Sequence, residues 1–169
     1  MVRRLILMRH AKSSWADDDA ADIDRVLNGR GRKSCKAVGR WLRDEGQIPD
    51  QVLCSSAVRT RETWDRIAAE LRDPPAVTEV PALYLAEPEV MLDVLQGASG
   101  QVVAMLGHNP GIGQMAGRLL AEAPDHPDFD RYPTLATLIA DFDIDDWADV
   151  SWGSGRAVDF IVPRALLPD

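Results

Sequence analysis

An apolar run of four residues, Leu5-Ile6-Leu7-Met8, is followed at once by Arg9 and His10. A run of this length that ends in polar and small residues predicts a buried strand leading into a loop. If the strand belongs to a parallel sheet, its carboxyl end opens onto the crevice where open α/β sheets bind ligands. Arg9 and His10 would then stand where a rigid scaffold meets solvent, which is a position suited to chemistry.

Further apolar runs alternate with helical patterns along the chain. The predicted strands cover residues 4–8, 51–55, 76–80, 102–106, 134–142 and 156–162, the last at an edge of the sheet; the predicted helices cover residues 32–45, 57–71, 88–96 and 110–122. This alternation predicts an α/β fold, a three-layer sandwich with a mostly parallel central sheet and helices on both faces. A chain of 169 residues is expected to form one domain.

The charge balance limits the possible partners. There are 27 Asp and Glu residues against 19 Lys and Arg, a formal net charge of −8, which argues against nucleic acid and anionic membranes as partners. The apolar runs are too short for a membrane span or a signal peptide. Cys35 and Cys54 form no CxxC pair, so we expect two buried thiols and a cytoplasmic location. The sequence leaves the oligomeric state open.

Polar side chains follow three of the predicted strands. They are Arg9-His10, the segment Ser55-Ser56-Ala57-Val58-Arg59, and Gly107-His108-Asn109. In a parallel sheet the three strand ends meet at one edge, where they would offer two guanidiniums and two imidazoles. Arginine presents a planar fork of donors that matches phosphate, and a neutral imidazole can attack phosphorus. These residues therefore predict a site for phosphoryl transfer.

Other interpretations of the same segments fit less well. Cys54 and Arg59 are one residue too close for the loop of a cysteine phosphatase, and residues 29–34 lack the Gly-Lys-Ser of a P-loop. The acidic stretch 16–23 is expected to be a solvated surface loop, and the tryptophans are expected to pack in the core. The three histidines lack metal-ligand spacing, so no metal and no cofactor is predicted.

Three motifs resemble the signatures of the histidine phosphatase superfamily: Leu7-Met8-Arg9-His10-Ala11, Ser55-Ser56-x-x-Arg59-Thr60-x-Glu62-Thr63, and Gly107-His108-Asn109-Pro110. Ala11 stands where the superfamily usually has glycine. The Arg-His-Ala-Lys-Ser-Ser start, the Asp24-Arg25-x-Leu27 segment and Tyr132-Pro133-Thr134 are similar to its small SixA-type phosphohistidine phosphatase branch. The resemblance implies a phosphoglycerate mutase-like fold and a single histidine phosphatase domain over residues 1–169. The chain is too short for the insertions that shape the site of the mutases themselves.

The resemblance also implies roles for the residues that match. His10 would be the nucleophile and become transiently phosphorylated, Arg9 and Arg59 would clamp the phosphoryl oxygens, and His108 would donate to an equatorial oxygen. Water would then hydrolyse the phosphoenzyme without a metal. Asn109 is expected to contact the substrate.

Three further residues are left with two interpretations each. Arg25 either binds substrate at the rim or belongs to a surface salt bridge. Ser13 either hydrogen-bonds phosphate or shapes its loop. Glu87 lies where the superfamily often places its carboxylic acid; it is either a general acid or a helix N-terminal carboxylate favoured by the helix dipole.

The substrate expected from this set is protein-borne phosphohistidine, because an imidazole leaving group needs a general acid less than an alcohol does. A small phosphorylated metabolite hydrolysed by a phosphomonoesterase on the same fold is the alternative within this chemistry. A non-catalytic phosphate-binding module is the alternative of another class.

Overall fold

The computed structural model describes residues 1–168 as a six-stranded sheet with four helices. The strands are β1 (Arg3–Arg9), β2 (Gln51–Cys54), β3 (Val77–Glu79), β4 (Val102–Gly107), β5 (Thr137–Phe142) and β6 (Arg156–Ile161). The helices are α1 (Gly29–Asp44), α2 (Val58–Ala68), α3 (Pro88–Gln96) and α4 (Gly111–Leu119). The predicted elements are all present, with shifted ends.

The sheet order is β3-β2-β4-β1-β5-β6, so β1 lies inside the sheet and β6 at an edge, as expected. β1, β2, β3 and β4 pair in parallel, while β5 is antiparallel to both β1 and β6. Five strands therefore run in one direction and only β5 opposes them. The predicted three-layer α/β sandwich with a mostly parallel sheet is confirmed.

Alternate residues of the central strands point into two separate cores, as the two-residue period of a strand requires. Ile6 and Met8 of β1 pack with α1 and α2, whereas Leu5 and Leu7 pack with α3 and α4. All four side chains are completely buried. Helices on both faces thus hold the end of β1 rigidly, and the loop that follows starts from a fixed point.

Helix α1 begins three residues earlier than expected, because Asn28 is its N-cap. The Asn28 side-chain oxygen accepts a hydrogen bond from the Gly31 N–H at 2.8 Å, which satisfies a donor of the first turn. Gly31 lies against the backbone of the loop after β1, where an added Cβ would overlap the Lys12 carbonyl. Asn28 therefore caps the helix, and Gly31 permits close packing on the His10 loop.

Helix α4 ends at Leu119 rather than near residue 122. Leu120 is extended and forms a bridge with Gly155, and the Ala121 N–H donates to the Gly155 carbonyl at 2.8 Å. A tertiary backbone contact thus replaces the last helical turn. Helix α2 likewise stops at Ala68, before the predicted residue 71.

The tryptophans divide between core and surface. Trp64 and Trp147 are buried as expected, but Trp15 is 74% exposed, so the prediction of core packing is wrong for it. Its ring carries the Arg25 guanidinium at 3.6 Å from the ring centroid, a cation–π contact that needs no burial. Within residues 1–168 no helix is long and apolar enough to cross a membrane.

Candidate active site

The carboxyl ends of β1, β2 and β4 meet at one edge of the sheet. The strand register pairs Arg9 with Gly107, and the His10 N–H continues it by donating to the Gly107 carbonyl at 3.1 Å. Ser55 extends β2 in the same way by donating to the Leu106 carbonyl at 3.1 Å. The backbone alone therefore brings the three polar segments together.

His10 lies at the centre of this edge and is buried. Its ring nitrogen Nδ1 is 2.7 Å from the carbonyl oxygen of Ala11. Because a carbonyl can only accept, Nδ1 carries the proton, and the lone pair is on Nε2. Burial, with smaller contributions from His108, Arg9 and Arg59 and against the opposing effect of the Ala11 hydrogen bond, lowers the His10 pKa to about 3. The ring is therefore neutral at physiological pH, with a nucleophilic nitrogen opposite its anchored edge.

His108 faces His10, with ring centroids 5.3 Å apart. Arg59 Nη2 donates to His108 Nδ1 at 3.3 Å, so the ring proton is on Nε2, which donates to the Ser55 hydroxyl at 2.7 Å. Burial and then the Arg59 charge lower the His108 pKa to about 3. His108 is thus a neutral imidazole held from both sides.

Two guanidiniums, the half-buried Arg9 and the buried Arg59, complete the centre of the site. Arg9 donates to the Tyr132 carbonyl at 3.2 Å, and Arg59 extends from the first turn of α2. The Nε atoms of both arginines are buried and find no hydrogen-bond partner among residues 1–168. Burial, followed by repulsion from Arg59, lowers the pKa of Arg9. An anion between the two guanidiniums would offset this repulsion and use their remaining donors.

The predicted solvated loop contributes a residue that sequence reasoning missed. Asp22 accepts from Arg59 through its backbone carbonyl at 2.6 Å and through its carboxylate at 3.1 Å. Tyr84 donates its hydroxyl to the same carboxylate and places its ring edge-on to His108, at 5.4 Å between centroids. The Tyr84 hydrogen bond and then Arg59 lower the Asp22 pKa to about 2, against a smaller opposing effect of desolvation. Asp22 is therefore an ionised carboxylate that holds Arg59 in position.

Arg25 and Ser13 lie together at the rim. Arg25 Nη1 donates to the Ser13 hydroxyl at 2.6 Å, and its Nε donates to the Asp22 carboxylate at 3.2 Å. Arg25 thus forms a salt bridge with Asp22 of the neighbouring acidic loop, and its binding of a substrate stays a prediction. The hydroxyl of Ser13 is tied to Arg25, which supports its interpretation as a loop-shaping residue.

Asn109 and Glu87 lie further from the cluster. The Asn109 amide donates to the carbonyls of Arg131 and Tyr132 at 2.9 and 3.0 Å, and its oxygen accepts from the Gly113 N–H at 3.3 Å. With these bonds the amide keeps no free donor for a substrate, and it ties the start of α4 to the loop that supports Arg9. Glu87 is exposed at the N-cap of α3 and, across residues 1–168, makes no hydrogen bond to the histidines or arginines of the site.

The two thiols are buried and free, and burial raises the pKa of both Cys35 and Cys54 to about 12. A protonated, enclosed Cys54 cannot act as the nucleophile of a cysteine phosphatase. In the part of the chain that the structure describes, no three His, Cys, Asp or Glu side chains form a group that could hold a metal ion.

Residues 5–83 match the family model of the histidine phosphatase superfamily (branch 1). Over almost its full length the chain is also similar to an uncharacterised protein of Mycobacterium leprae, with 32% identity over 166 residues that cover 93% of this chain and all of the relative. The chain belongs to the histidine phosphatase superfamily. Membership supports phosphatase activity on a phosphorylated substrate.

The chain shares its fold with solved structures over almost its full length. A candidate phosphohistidine phosphatase SixA from Nakamurella multipartitia superimposes with a TM-score of 0.79 at 24% identity, covering 96% of this chain and 97% of its own. The protein histidine phosphatase SixA complexed with tungstate gives a TM-score of 0.77 at 21% identity, covering 97% and 99%. At these identities the likeness establishes a shared fold.

Proposed function

We propose that this protein is a metal-independent phosphatase in which His10 is the nucleophile, and that its substrate is phosphohistidine carried by a protein. One observation carries the proposal. The His10 ring is neutral, is anchored to the Ala11 carbonyl through Nδ1–H, and so keeps its Nε2 lone pair free beside the guanidiniums of Arg9 and Arg59. A neutral imidazole with a fixed tautomer needs no base to remove a proton before it attacks phosphorus.

In the first step, Nε2 of His10 forms a bond to phosphorus as the bond from phosphorus to the substrate nitrogen breaks. The electron pair of that bond goes to the leaving imidazole, which takes up a proton. The Nδ1–H bond to Ala11 stabilises the positive charge that develops on the His10 ring. Arg9 and Arg59 neutralise the equatorial oxygens of the transferring group, where most of the catalytic effect in phosphoryl transfer arises.

In the second step, a water oxygen bonds to phosphorus and the bond to His10 Nε2 breaks. The electron pair of the broken bond returns to Nε2 and restores the neutral ring, the water proton passes to solvent, and inorganic phosphate leaves. The donor role of His108 in either step requires a second proton on Nδ1, because its Nε2–H is directed at Ser55, and that proton replaces the hydrogen bond that Nδ1 accepts from Arg59. A phosphoryl dianion in the site would raise the His108 pKa and favour that proton.

The remaining residues of the site act through His10, Arg9, Arg59 and His108. Asp22 orients Arg59 and balances one of the three guanidinium charges of Arg9, Arg25 and Arg59, which leaves two positive charges for a phosphoryl dianion. Ser13 positions Arg25. Asn109 positions the loop whose Tyr132 carbonyl accepts from Arg9.

Two features favour phosphohistidine over a phosphate ester. An ester needs a carboxylic acid near its leaving oxygen, but Asp22 is held ionised with a pKa of about 2 and Glu87 has no bond to the site in residues 1–168. An imidazole leaving group can be protonated by solvent. The two free, buried thiols suit the cytoplasmic location that we propose with this function.

The test is rapid-quench trapping with a ³²P-phosphohistidine protein in EDTA, quenched in base because phosphoramidates hydrolyse in acid. We expect a labelled phosphoenzyme that His10→Ala abolishes together with phosphate release. His126→Ala is the matched control, since His126 packs on Phe160 and has no place in the site. Release of phosphate without a trapped phosphoenzyme would contradict the assignment of His10 as the nucleophile.

A substrate panel separates the alternatives. Sugar phosphates or phosphoserine turned over far faster than phosphohistidine would make the protein a small-molecule phosphomonoesterase. Glu87→Gln belongs in the same panel: we expect little effect on phosphohistidine, and a loss confined to esters would assign Glu87 as their general acid. Binding of phosphate without turnover of any substrate would favour a non-catalytic module.

A further inference from the structure

A cavity of about 200 Å³ lies beside the loop that carries His10. Its charged lining consists of Lys12, Arg30, Arg131, Arg164 and a single acid, Asp128. The four cations are exposed, whereas Asp128 is buried. A site with this excess of positive charge is unusual on a chain with a net charge of −8.

The cavity shares two backbone segments with the proposed active site. Lys12 follows His10 by two residues, so their Cα atoms are at most about 7 Å apart. On the other wall, Pro133 and Thr134 lie between Tyr132, whose carbonyl accepts from Arg9, and Leu135, whose N–H donates to the His10 carbonyl at 2.9 Å. A chain segment that presents a phosphoryl group to His10 can therefore reach the cavity with its neighbouring residues.

Asp128 bonds two of the four cationic side chains, and its single charge offsets only one of their four positive charges. It accepts from Arg131 and from Arg164, the latter at 3.3 Å. Lys12 and Arg30 have no acidic partner within residues 1–168. The cavity thus keeps a net positive charge and free donors from two sides, as a carboxylate ligand requires.

Helix α1 continues the positive surface beyond the cavity. It carries six of the 19 lysines and arginines of the chain and only one acid, Asp44. Arg30 lines the cavity, and Lys33 and Lys36 line a second groove on the same helix, next to residues 166–168; the groove also includes Asp44 and Arg40, the latter paired with Glu70. The positive charge is therefore concentrated on one side of the site, while the acidic loop with Asp17, Asp18 and Asp19 supplies the opposite charge at the other end of the His10 loop.

We propose that this basic cavity and the adjoining face of α1 bind acidic residues of the phosphorylated protein substrate, close to its phosphohistidine. The inference rests on the proposed function and narrows its substrate to a phosphohistidine flanked by Asp or Glu. Because each extended residue spans about 3.3–3.6 Å, the recognised acids lie two to four residues from the phosphohistidine. Steering by such a surface acts mainly on association and weakens with salt.

The test uses three synthetic peptides with a central phosphohistidine flanked on both sides by glutamate, serine or lysine. We expect kcat/KM to be highest for the glutamate peptide and roughly tenfold lower for the serine peptide at low salt, with the difference lost near 0.5 M NaCl. Arg30→Glu combined with Arg164→Glu is expected to remove the preference. Arg72→Glu combined with Arg156→Glu, at two exposed arginines outside the cavity, changes the net charge by the same amount and is the matched control.

Two further measurements distinguish failure of this binding proposal from failure of the proposed function and from misfolding of a variant. Anisotropy of a fluorescein-labelled, unphosphorylated glutamate peptide reports binding even if no peptide is hydrolysed, so failure of the proposed function does not hide this result. Arg30→Gln with Arg164→Gln repeats the test if the charge-reversed pair does not fold. Equal kcat/KM for the three peptides, or a glutamate preference that survives both double variants, would overturn the proposal.

Discussion

Asp22 meets Arg59 twice, with its backbone carbonyl 2.6 Å from Nη1 and its carboxylate 3.1 Å from Nη2. The contact orients a buried guanidinium, and it also places a negative charge next to the proposed phosphoryl position. Asp22 therefore has two opposed effects: it positions Arg59 for an anion and repels that anion.

Replacing Asp22 by asparagine should separate these effects. Asp22→Asn keeps the carbonyl contact with Arg59 and removes the charge, so we expect tungstate or phosphate to bind roughly fivefold more tightly, about 1 kcal/mol. Isothermal titration calorimetry measures the change, with Asp24→Asn of the same turn as the control. Weaker binding would mean that orientation of Arg59 by the carboxylate outweighs the repulsion.

The fork of Arg59 should not be replaceable by a point charge. Arg59→Lys cannot bond Asp22 and His108 at the same time as a phosphoryl oxygen, so we expect kcat/KM for phosphohistidine to fall roughly 100-fold. Arg61→Lys, two residues along α2 in an exposed pair with Glu79, should stay within about twofold of wild type. Steady-state kinetics with both variants decides; similar losses in both would locate the effect in α2 and not in the fork.

The two neutral histidines should make folding stability depend on pH. The pKa values of His10 and His108 fall from 6.5 to about 3 on folding. Between these values the unfolded chain binds more protons than the folded one, so stability present above pH 6.5 is lost as the pH falls towards 3. Each histidine contributes a slope of at most about 1.4 kcal/mol per pH unit.

Urea unfolding of wild type and His10→Asn at pH 7.5, 6 and 5 measures this slope. We expect the variant to lose less stability on acidification, because one of the two neutral rings is gone. Parallel slopes in the two proteins would contradict a depressed His10 pKa. Effects from the carboxylates, including Asp22, are common to both proteins and cancel in the difference.

Gly31 should tolerate no side chain, because an added Cβ would overlap the Lys12 carbonyl. We expect Gly31→Ala to cost about 1–3 kcal/mol of unfolding free energy and to lower activity by displacing the His10 loop. Gly29→Ala, in the same first turn of α1, meets only the Arg32 Nη2 atom at 3.6 Å and should cost nothing. Chemical denaturation compares the two, and equal stability would show that the helix and loop can move apart freely.

The sequence by itself determined the layers of this fold and the three ends of strands that form the site. Unbroken apolar runs predict buried strands, and their alternation with helical patterns leaves a parallel sheet whose carboxyl ends converge; Arg9, His10, Arg59 and His108 follow from that geometry. Their roles remain proposals. The ends of α1, α2 and α4 were less well predicted, because a cap at Asn28 and backbone contacts of residues 120 and 121 override local patterns.

Only the tertiary structure decided which side chains surround these four residues. From the sequence, Asp22 is predicted to be one more acid of a solvated loop. In the structure its carboxylate bonds Arg59, 37 residues away in the chain. The sequence predicts Trp15 in the core, but Trp15 stacks on Arg25 in solvent. The sequence predicts that Asn109 contacts the substrate, but its amide donates to backbone carbonyls. The period of an apolar pattern depends only on neighbouring residues, so it can be recognised in the sequence of each helix or strand. The partner of an exposed charge depends on how remote loops meet, which no local pattern contains.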